Sequence, residues 1–531
     1  MKTVNTINTK KRFLLSAALI GGVNVLLRSI SVSFNAYVSA KAGAEGMGLL
    51  SLVMSVFGMS VTLATSGINL AAMRLTAEKL APLGEYGATS LQYRRCVRSL
   101  MTKCCIYSLC FGVTTGIGVN LLSDFIGEVL LEDSRTVLSI RIFSYSLPAI
   151  SLSSALSGYF TGVRKVHKNA AAAIIEQGVK IILTSTALSL TVIAFCDKIE
   201  YACVAVVGGG ALAEGFSLIV NFIMYLADSK RPMGSALKAA GCGEEMTRLG
   251  EVRKVALPIA LGAYARQGLT TAEHLFIPRG MRMSGLGGAS SLAAYGILQG
   301  MVFPLILFPS SVLSSAANLL IPELAECISL GDRKRIKRIV SKVFKWAIVF
   351  SVGCTAVFFA FSDVLGMKIY GSADASRYIR LCALLVPVMY FDMTVDCMLK
   401  GLGEQIHSMR INILDSALSL ILVLILVPAF GITGYIISVY VCEGLNCLLS
   451  VIKLYRVSGK LPDLKFDGIL SVLSGVAAVI PCAVIPGFLS SDSHVYLRIS
   501  LCVLIYLATY NFFNLRKTKK LPNTVENNII G

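Results

Sequence analysis

The chain is a succession of long apolar stretches separated by short polar gaps. A helix that crosses a bilayer needs about 20 apolar residues. Stretches of that kind fall at 13–40, 48–73, 101–122, 137–160, 170–196, 202–227 and 256–281. They continue at 292–321, 343–365, 379–399, 411–429, 432–454, 469–489 and 495–515. The pattern predicts an all-α, polytopic membrane protein with about 14 transmembrane helices. Several stretches exceed the minimum, so tilt or extension beyond the membrane is expected. The first follows Lys10, Lys11 and Arg12 and is too long for a signal-peptide core, so it reads as a retained first helix.

The gaps are sorted by charge. Of 49 Lys+Arg, 33 lie in the N-terminal tail, the even-numbered gaps and the C-terminal tail; six lie in the other gaps and ten inside spans. Lys and Arg are retained on the cytoplasmic side, which predicts a multi-pass protein of the bacterial cytoplasmic membrane with both termini inside. The inside gaps carry Arg94, Arg95 and Arg98; Arg164, Lys165 and Lys168; Arg253 and Lys254; and Arg333, Lys334, Arg335, Lys337 and Arg338. The tail carries Arg516, Lys517, Lys519 and Lys520. The third gap, outside, is acid-rich, with Asp124, Glu128, Glu132 and Asp133. The single tryptophan, Trp346, falls at the cytoplasmic end of the ninth span, where an amphipathic ring is favoured.

Composition agrees. The chain is 55% hydrophobic and 15% charged, against roughly 25% charged in soluble domains. A net charge of +19 raises the question of nucleic acid. The basic residues form short clusters at helix ends, as topology signals and contacts with anionic lipid do, and no nucleic-acid partner is expected. The 15 cysteines form no CxxC pair, and the four histidines show no metal-ligand spacing. With no HExxH, Walker loop or nucleophile elbow, and no gap long enough for a catalytic domain, neither metal, cofactor nor enzymatic activity is expected.

The chain repeats itself. At an offset of 239 the fourth and fifth spans fall on the tenth and eleventh: Ile140-Arg141 on Ile379-Arg380, Pro148 on Pro387, Gly162 on Gly401, Glu176 on Asp415. At 229, Glu214-Gly215 falls on Glu443-Gly444. Six spans is an even number, so the copies run in the same orientation, a parallel repeat common in transporters. The expected division is an N-lobe at 1–227 (six helices), a cytoplasmic linker at 228–255, a C-lobe at 256–454 (six helices), and two added helices with a basic tail at 455–531.

Polar residues inside spans need a reason, since a charge at the bilayer centre costs about 2.5 kcal/mol or more. Asn24, Arg28, Ser31 and Asn35 form one stripe on the first span. Arg266, Thr270 and Glu273 form another on the seventh, with Gln267 and His274 beside it. The second span adds Thr62, Thr65, Ser66 and Asn69; the eighth adds Gln299, Ser311, Ser314, Ser315 and Asn318. Stripes on repeat-equivalent spans predict a hydrated central cavity, with Asn24, Arg28, Ser31, Asn35, Asn69, Arg266, Gln267, Thr270, Glu273 and Gln299 as candidate substrate contacts. A structural pairing of Arg28 with an acid such as Glu273 is the alternative. Asp392 and Asp396 are a candidate ion-coupling pair on the tenth span, while Glu176 and Lys180, four apart, read as an intrahelical ion pair. Asp415 and Glu443 read as contacts between helices. A guanidinium is permanently charged and grips phosphate oxygens bidentately, so arginine in a cavity favours an anionic headgroup such as a polyprenyl-pyrophosphate sugar.

Two further parts of the chain carry a resemblance. Arg28, the run Gly43-Ala44-Glu45-Gly46-Met47-Gly48-Leu49, and Ala64-Thr65-Ser66-Gly67-Ile68 leading to Leu75-Thr76-Ala77-Glu78 form one part. Gly401-Leu402-Gly403-Glu404-Gln405, Asn412-Ile413-Leu414-Asp415-Ser416 and Gly431-Ile432-Thr433-Gly434-Tyr435 form the other. They resemble the stage V sporulation protein B family of the multidrug/oligosaccharidyl-lipid/polysaccharide (MOP) exporter superfamily, over nearly the whole chain. The resemblance implies a two-lobe fold of fourteen helices and alternating access. It implies outward movement of a lipid-linked oligosaccharide or peptidoglycan precursor such as lipid II, in spore-cortex or cell-wall synthesis, with membrane lipids and cell-wall synthesis proteins as partners. Arg28 matches the family's first-helix arginine. Where relatives often carry a second and third arginine in that helix, this chain has Asn35 and Ala40, and Arg266 is the expected substitute. The alternatives are a cation-coupled small-molecule (multidrug) exporter, which would need acids at cavity depth, and a non-transporting envelope-assembly scaffold.

Overall fold

The computed structural model describes residues 2–85, 90–163, 165–195, 199–229, 249–459, 469–477 and 495–520. Most of the expected linker and of the thirteenth span lies outside the described residues. Everything described is helix or connection. The helices are α1 (Lys2–Thr65), α2 (Ile68–Glu85), α3 (Ser90–Leu121), α4 (Val137–Ser144), α5 (Leu147–Gly162), α6 (Val166–Phe195), α7 (Ile199–Ser229), α8 (Leu249–Met283) and α9 (Gly288–Gly296). They continue as α10 (Phe303–Leu307), α11 (Ser310–Ser329), α12 (Arg333–Ala360), α13 (Ser362–Tyr370), α14 (Ala373–Ala383), α15 (Val386–Gly401), α16 (Gln405–Phe430), α17 (Ile432–Ser458) and α18 (Val495–Lys520).

Among the described residues, 8 helices are long and apolar enough to cross a membrane, or up to 10 when each bent pair counts as one span. This is a multi-pass membrane protein. Each of the fourteen predicted stretches contains described helix. The first stretch and the second as far as Thr65 are continuous in α1 except at Gly43, whose φ of 70° lies where only glycine is unstrained. Helix α8, the seventh stretch, is not among the 8. Its charges, among them Arg253, Lys254, Arg266, Glu273, Arg279 and Arg282, dilute its hydropathy.

The repeat is visible as geometry. The fourth and tenth spans are both broken: α4 and α5 meet at 47°, α14 and α15 at 57°. Each break sits at a proline in the first turn of the second piece, Pro148 or Pro387, where the ring denies a hydrogen bond to the preceding turn. Arg141 donates to Ser123 Oγ at 3.0 Å and to Asp124 at 2.7 Å; Arg380 donates to Ser362 Oγ at 3.0 Å and to Asp363 at 2.5 Å. These are the same residue types 239 positions apart.

The chain divides into two compact units, 1–296 with 416–435, and 297–415 with 436–531. In the first, Ile68, Ala72, Leu75, Leu100, Cys104, Ala155, Val252 and Ala256 form one buried core of α2, α3, α5 and α8. Buried Asp228 at the end of α7 holds Lys165 at 2.6 Å, Lys168 at 2.8 Å and the Tyr159 hydroxyl at 3.1 Å. In the second unit, Leu324, Ile336, Val340, Phe344, Met398, Leu399 and Leu454 pack together. Phe361, Cys502 and Tyr506 seat α18 against α12, with Tyr506 donating to Val349 O at 2.8 Å.

Candidate functional site

Helix α8 is fastened along α1 and α2 for most of its length. Lys79 meets Glu251 at 2.6 Å. A Cβ on Gly67 would lie 2.7 Å from Ala256 O, so only glycine permits this approach. The Tyr264 hydroxyl donates to Ser66 Oγ at 2.8 Å, and Ser66 Oγ also lies 2.9 Å from the Tyr107 hydroxyl. Further along, the Thr271 hydroxyl donates to Ser55 O at 3.2 Å. Ser66 has a φ of 44° and Gly67 of 70°. The break between α1 and α2 is thus pinned by two tyrosines from other helices.

This packing sorts the α8 stripe. Gln267 lies against Gly58, and Thr271 is buried. Arg266 is exposed, with only its backbone carbonyl engaged, by the Thr270 hydroxyl at 3.1 Å. Glu273 is half-buried, and the His274 ring sits edge-on to Tyr295 at 6.2 Å. On α1, Asn24 and Arg28 are exposed and Asn35 is half-buried. The Ser31 hydroxyl donates to Leu27 O and receives Gln177 Nε2 at 3.4 Å. Neither Arg28 nor Arg266 has an ion-pair partner among the described residues. The Asn69 amide is spent on Ser154 O at 3.1 Å. Nine of the ten candidate contacts fall in the first unit; Gln299 belongs to the second.

A groove of about 480 Å³ lies between α1 and α6, lined by Ser29, Ile30, Ser33, Phe34, Tyr37 and residues of α6. At 100° per residue these α1 positions point away from the stripe of Arg28, Ser31 and Asn35. None of the ten candidate contacts lines this groove. The hydroxyls of Ser29 and Ser185 are satisfied within their own helices.

Of the acidic candidates, Asp392 is buried on α15, and Glu443 of α17 lies within electrostatic reach of Asp392 and Asp415. Asp396 is engaged, with Lys400 at 2.6 Å and the Ser408 hydroxyl on its other oxygen. In the first unit Glu214 lies in the fields of Glu176 and Lys180, and the Ser217 hydroxyl donates to Glu176 at 2.6 Å. Asn221 donates to Ser153 Oγ at 2.9 Å.

Sequence reasoning missed an ion-pair cluster. Glu132 takes Arg279 at 2.7 Å and Arg282 at 2.5 Å, and Arg279 also donates to Val129 O at 2.7 Å. Arg135 joins Asp133 at 2.7 Å to Glu45 at 2.9 Å. Glu132 holds a φ of 56°, a strained conformation for a residue with a side chain. Nearby, Gly48 and Gly296 touch through backbone: a Cβ on Gly48 would stand 2.0 Å from Leu292 O, and one on Gly296 2.2 Å from Ala44 O. The available signal was the acidic third gap beside the arginines that end α8.

A twofold repeat of bent and straight membrane helices, with exposed arginines on two of them, defines the class as a multi-pass transporter fold. Residues 14–240 match the family model for polysaccharide biosynthesis proteins, and residues 280–425 match the MatE model. The chain is 22% identical to stage V sporulation protein B of Bacillus subtilis (strain 168) over 88% of each chain. It is 24% identical to the multidrug export protein MepA of Staphylococcus aureus, over 48% of this chain and 54% of that one. The solved structure of the lipid II flippase MurJ in an inward closed conformation superposes with a TM-score of 0.69 at 14% identity, covering 94% of this chain and 100% of that one. The chain thus has the fold of these transporters and is similar to stage V sporulation protein B along most of its length.

Proposed function

We propose that this protein is a flippase that carries a polyprenyl-pyrophosphate saccharide, a peptidoglycan precursor or other lipid-linked oligosaccharide, outward across the bacterial cytoplasmic membrane. The observation that carries the reading is the pair of exposed guanidiniums, Arg28 and Arg266, on membrane helices and without ion-pair partners among the described residues. An unpaired arginine in a span is costly unless an anion visits it. A pyrophosphate supplies that anion and accepts bidentate hydrogen bonds from both side chains. Asn24, Ser31, Asn35, Asn69, Gln267, Thr270, Glu273 and Gln299 would contact the sugar or its hydration shell. No bond is made or broken; the protein neutralises the headgroup while it passes.

In this reading the lobes at 1–227 and 256–454 rock about the site by alternating access, with both termini cytoplasmic. The cluster of Glu132, Arg279 and Arg282 and the Gly48–Gly296 contact support an outer closure that opens for release. An inside-negative potential favours outward movement of an anion by about 2.3 kcal/mol per charge per 100 mV. The sporulation and cell-wall role, and contact with cell-wall synthesis proteins, follow the family and belong to the proposal.

The test is headgroup translocation in proteoliposomes with fluorescent lipid II beside a neutral lipid-linked sugar. Faster transfer of the pyrophosphate lipid alone, lost in a well-folded Arg28→Ala protein, is expected. Equal transfer of both lipids, or full transfer by Arg28→Ala, would sink the reading. The second reading, a cation-coupled exporter, is favoured by the acids Asp392, Asp415 and Glu443 together with the MatE match. It requires extrusion of a small cationic substrate that depends on Asp392.

A further inference from the structure

Helix α12 carries more positive charge than its orientation requires. It is the repeat counterpart of α3 at the offset of 239, and the two helices end in register, at Leu121 and Ala360. Between 94 and 106, α3 has four basic residues, Arg94, Arg95, Arg98 and Lys103; between 333 and 345, α12 has seven. In a parallel repeat one topology signal serves both helices. The surplus belongs to α12 alone.

The surplus is also arranged. Ile336, Val340 and Phe344 bury one face of α12 in its unit's core, so this stretch is a fixed platform. On the other side Lys334, Arg338 and Lys342 follow one another at helical spacing, flanked by Arg333 and Lys337, and all five are exposed. None of the five has an ion-pair partner among the described residues. Arg335, on the flank, is by contrast paired with Glu323 at 3.0 Å. Like charges one turn apart repel and weaken a helix, so what this face lacks is an anion.

One turn beyond Lys342 the helix becomes apolar, and there Trp346 stands 65% exposed. An exposed indole at the junction of basic and apolar residues marks the level of lipid headgroups. We infer that this face of α12 is a binding strip for anionic phospholipid, of the phosphatidylglycerol or cardiolipin class. Phosphodiester groups lie along Lys334, Arg338 and Lys342, and an acyl chain runs beside Trp346. Charge complementarity supplies the attraction, and the rigid helix supplies a spacing that a loose basic loop does not.

Trp346 is the chain's one tryptophan, so its fluorescence reads this strip alone. Full-length protein in neutral detergent micelles is titrated with phosphatidylglycerol and, in parallel, with phosphatidylcholine. The emission is expected to shift with phosphatidylglycerol only, and molar salt is expected to reverse it. The triple variant K334Q/R338Q/K342Q is expected to need about 100-fold more lipid, from roughly 1 kcal/mol per basic residue. The charge-keeping K334R/K342R responds like the parent. An equal response to phosphatidylcholine, or to inorganic phosphate without lipid, overturns the inference, as does an undiminished response in the folded triple variant. Should that variant fail to fold, a salt-insensitive response of the parent protein is the overturning result.

Discussion

In the first copy of the repeat, Glu176 on α6 and Glu214 on α7 share their surroundings with Lys180. At the equivalent places in the second copy stand Asp415 and Glu443, and the lysine is replaced by Ser419. A third acid, Asp392, takes the place of Ser153, the partner of Asn221. The first arrangement has two carboxylates and a built-in cation, together with hydroxyl and amide donors. The second gathers three carboxylates at Glu443. The scaffold is otherwise preserved, down to the paired arginines Arg141 and Arg380. The difference shows that a duplicated helix framework tolerates a reversal of local charge balance while its bends and caps are kept, because proline and turn geometry fix those and the intramembrane charges do not.

The largest effect expected from this contrast is on Lys180. Lys180→Ser removes the cation whose field acts on Glu214 beside Glu176, and should destabilise the protein. Thermal unfolding in detergent should show it as a clear loss of Tm. Lys180→Arg, which keeps the cation, should keep the parent's Tm. An unchanged Tm in Lys180→Ser would break the comparison.

Glycines at matched positions give the next largest difference. A Cβ on Gly162 would meet Thr76 Cβ at 2.7 Å and Met73 O at 2.8 Å, whereas on Gly401 its nearest neighbours stand at 3.1 Å. Gly162→Ala should therefore cost about 2 kcal/mol and Gly401→Ala about 1 kcal/mol or less. Equal losses of Tm would mean that the helix crossings around the two sites are equally tight.

The smallest effect concerns the matched surface pairs. Arg141→Ala and Arg380→Ala should each cost no more than about 1 kcal/mol and should cost the same, since both pairs are largely exposed. A large cost at one alone would show that the two bends are held by different contacts.

The apolar spans and the repeat were readable in the sequence. Apolar length, proline placement and basic gaps each have a local cause. The repeat matched Pro148 to Pro387 and Arg141 to Arg380 without predicting a bend; the structure bends both spans and gives both arginines the same contacts. The partners of polar residues were not readable. A stripe at helical spacing names a face but not what lies opposite. Tyr264 and Thr271, which fasten α8 to α1, therefore escaped notice, while Asn69 turns out to brace Ser154. Lys180, four residues on, was the expected partner of Glu176, whose carboxylate instead takes the Ser217 hydroxyl from α7. Asp396 looked like a match for Asp392 until Lys400 and Ser408 were seen to occupy it.

The central claim is that Arg28 and Arg266 take up the pyrophosphate. The most direct measurement is the binding of a short-chain polyprenyl pyrophosphate to the purified protein, to Arg28→Ala, to Arg266→Ala and to the double variant. Each single change should weaken binding about 10- to 100-fold, as the loss of a charge-assisted hydrogen bond requires. The double variant should bind the pyrophosphate no better than the corresponding neutral prenyl alcohol. Unchanged affinity in both single variants, with each protein folded to the same Tm, would contradict the account.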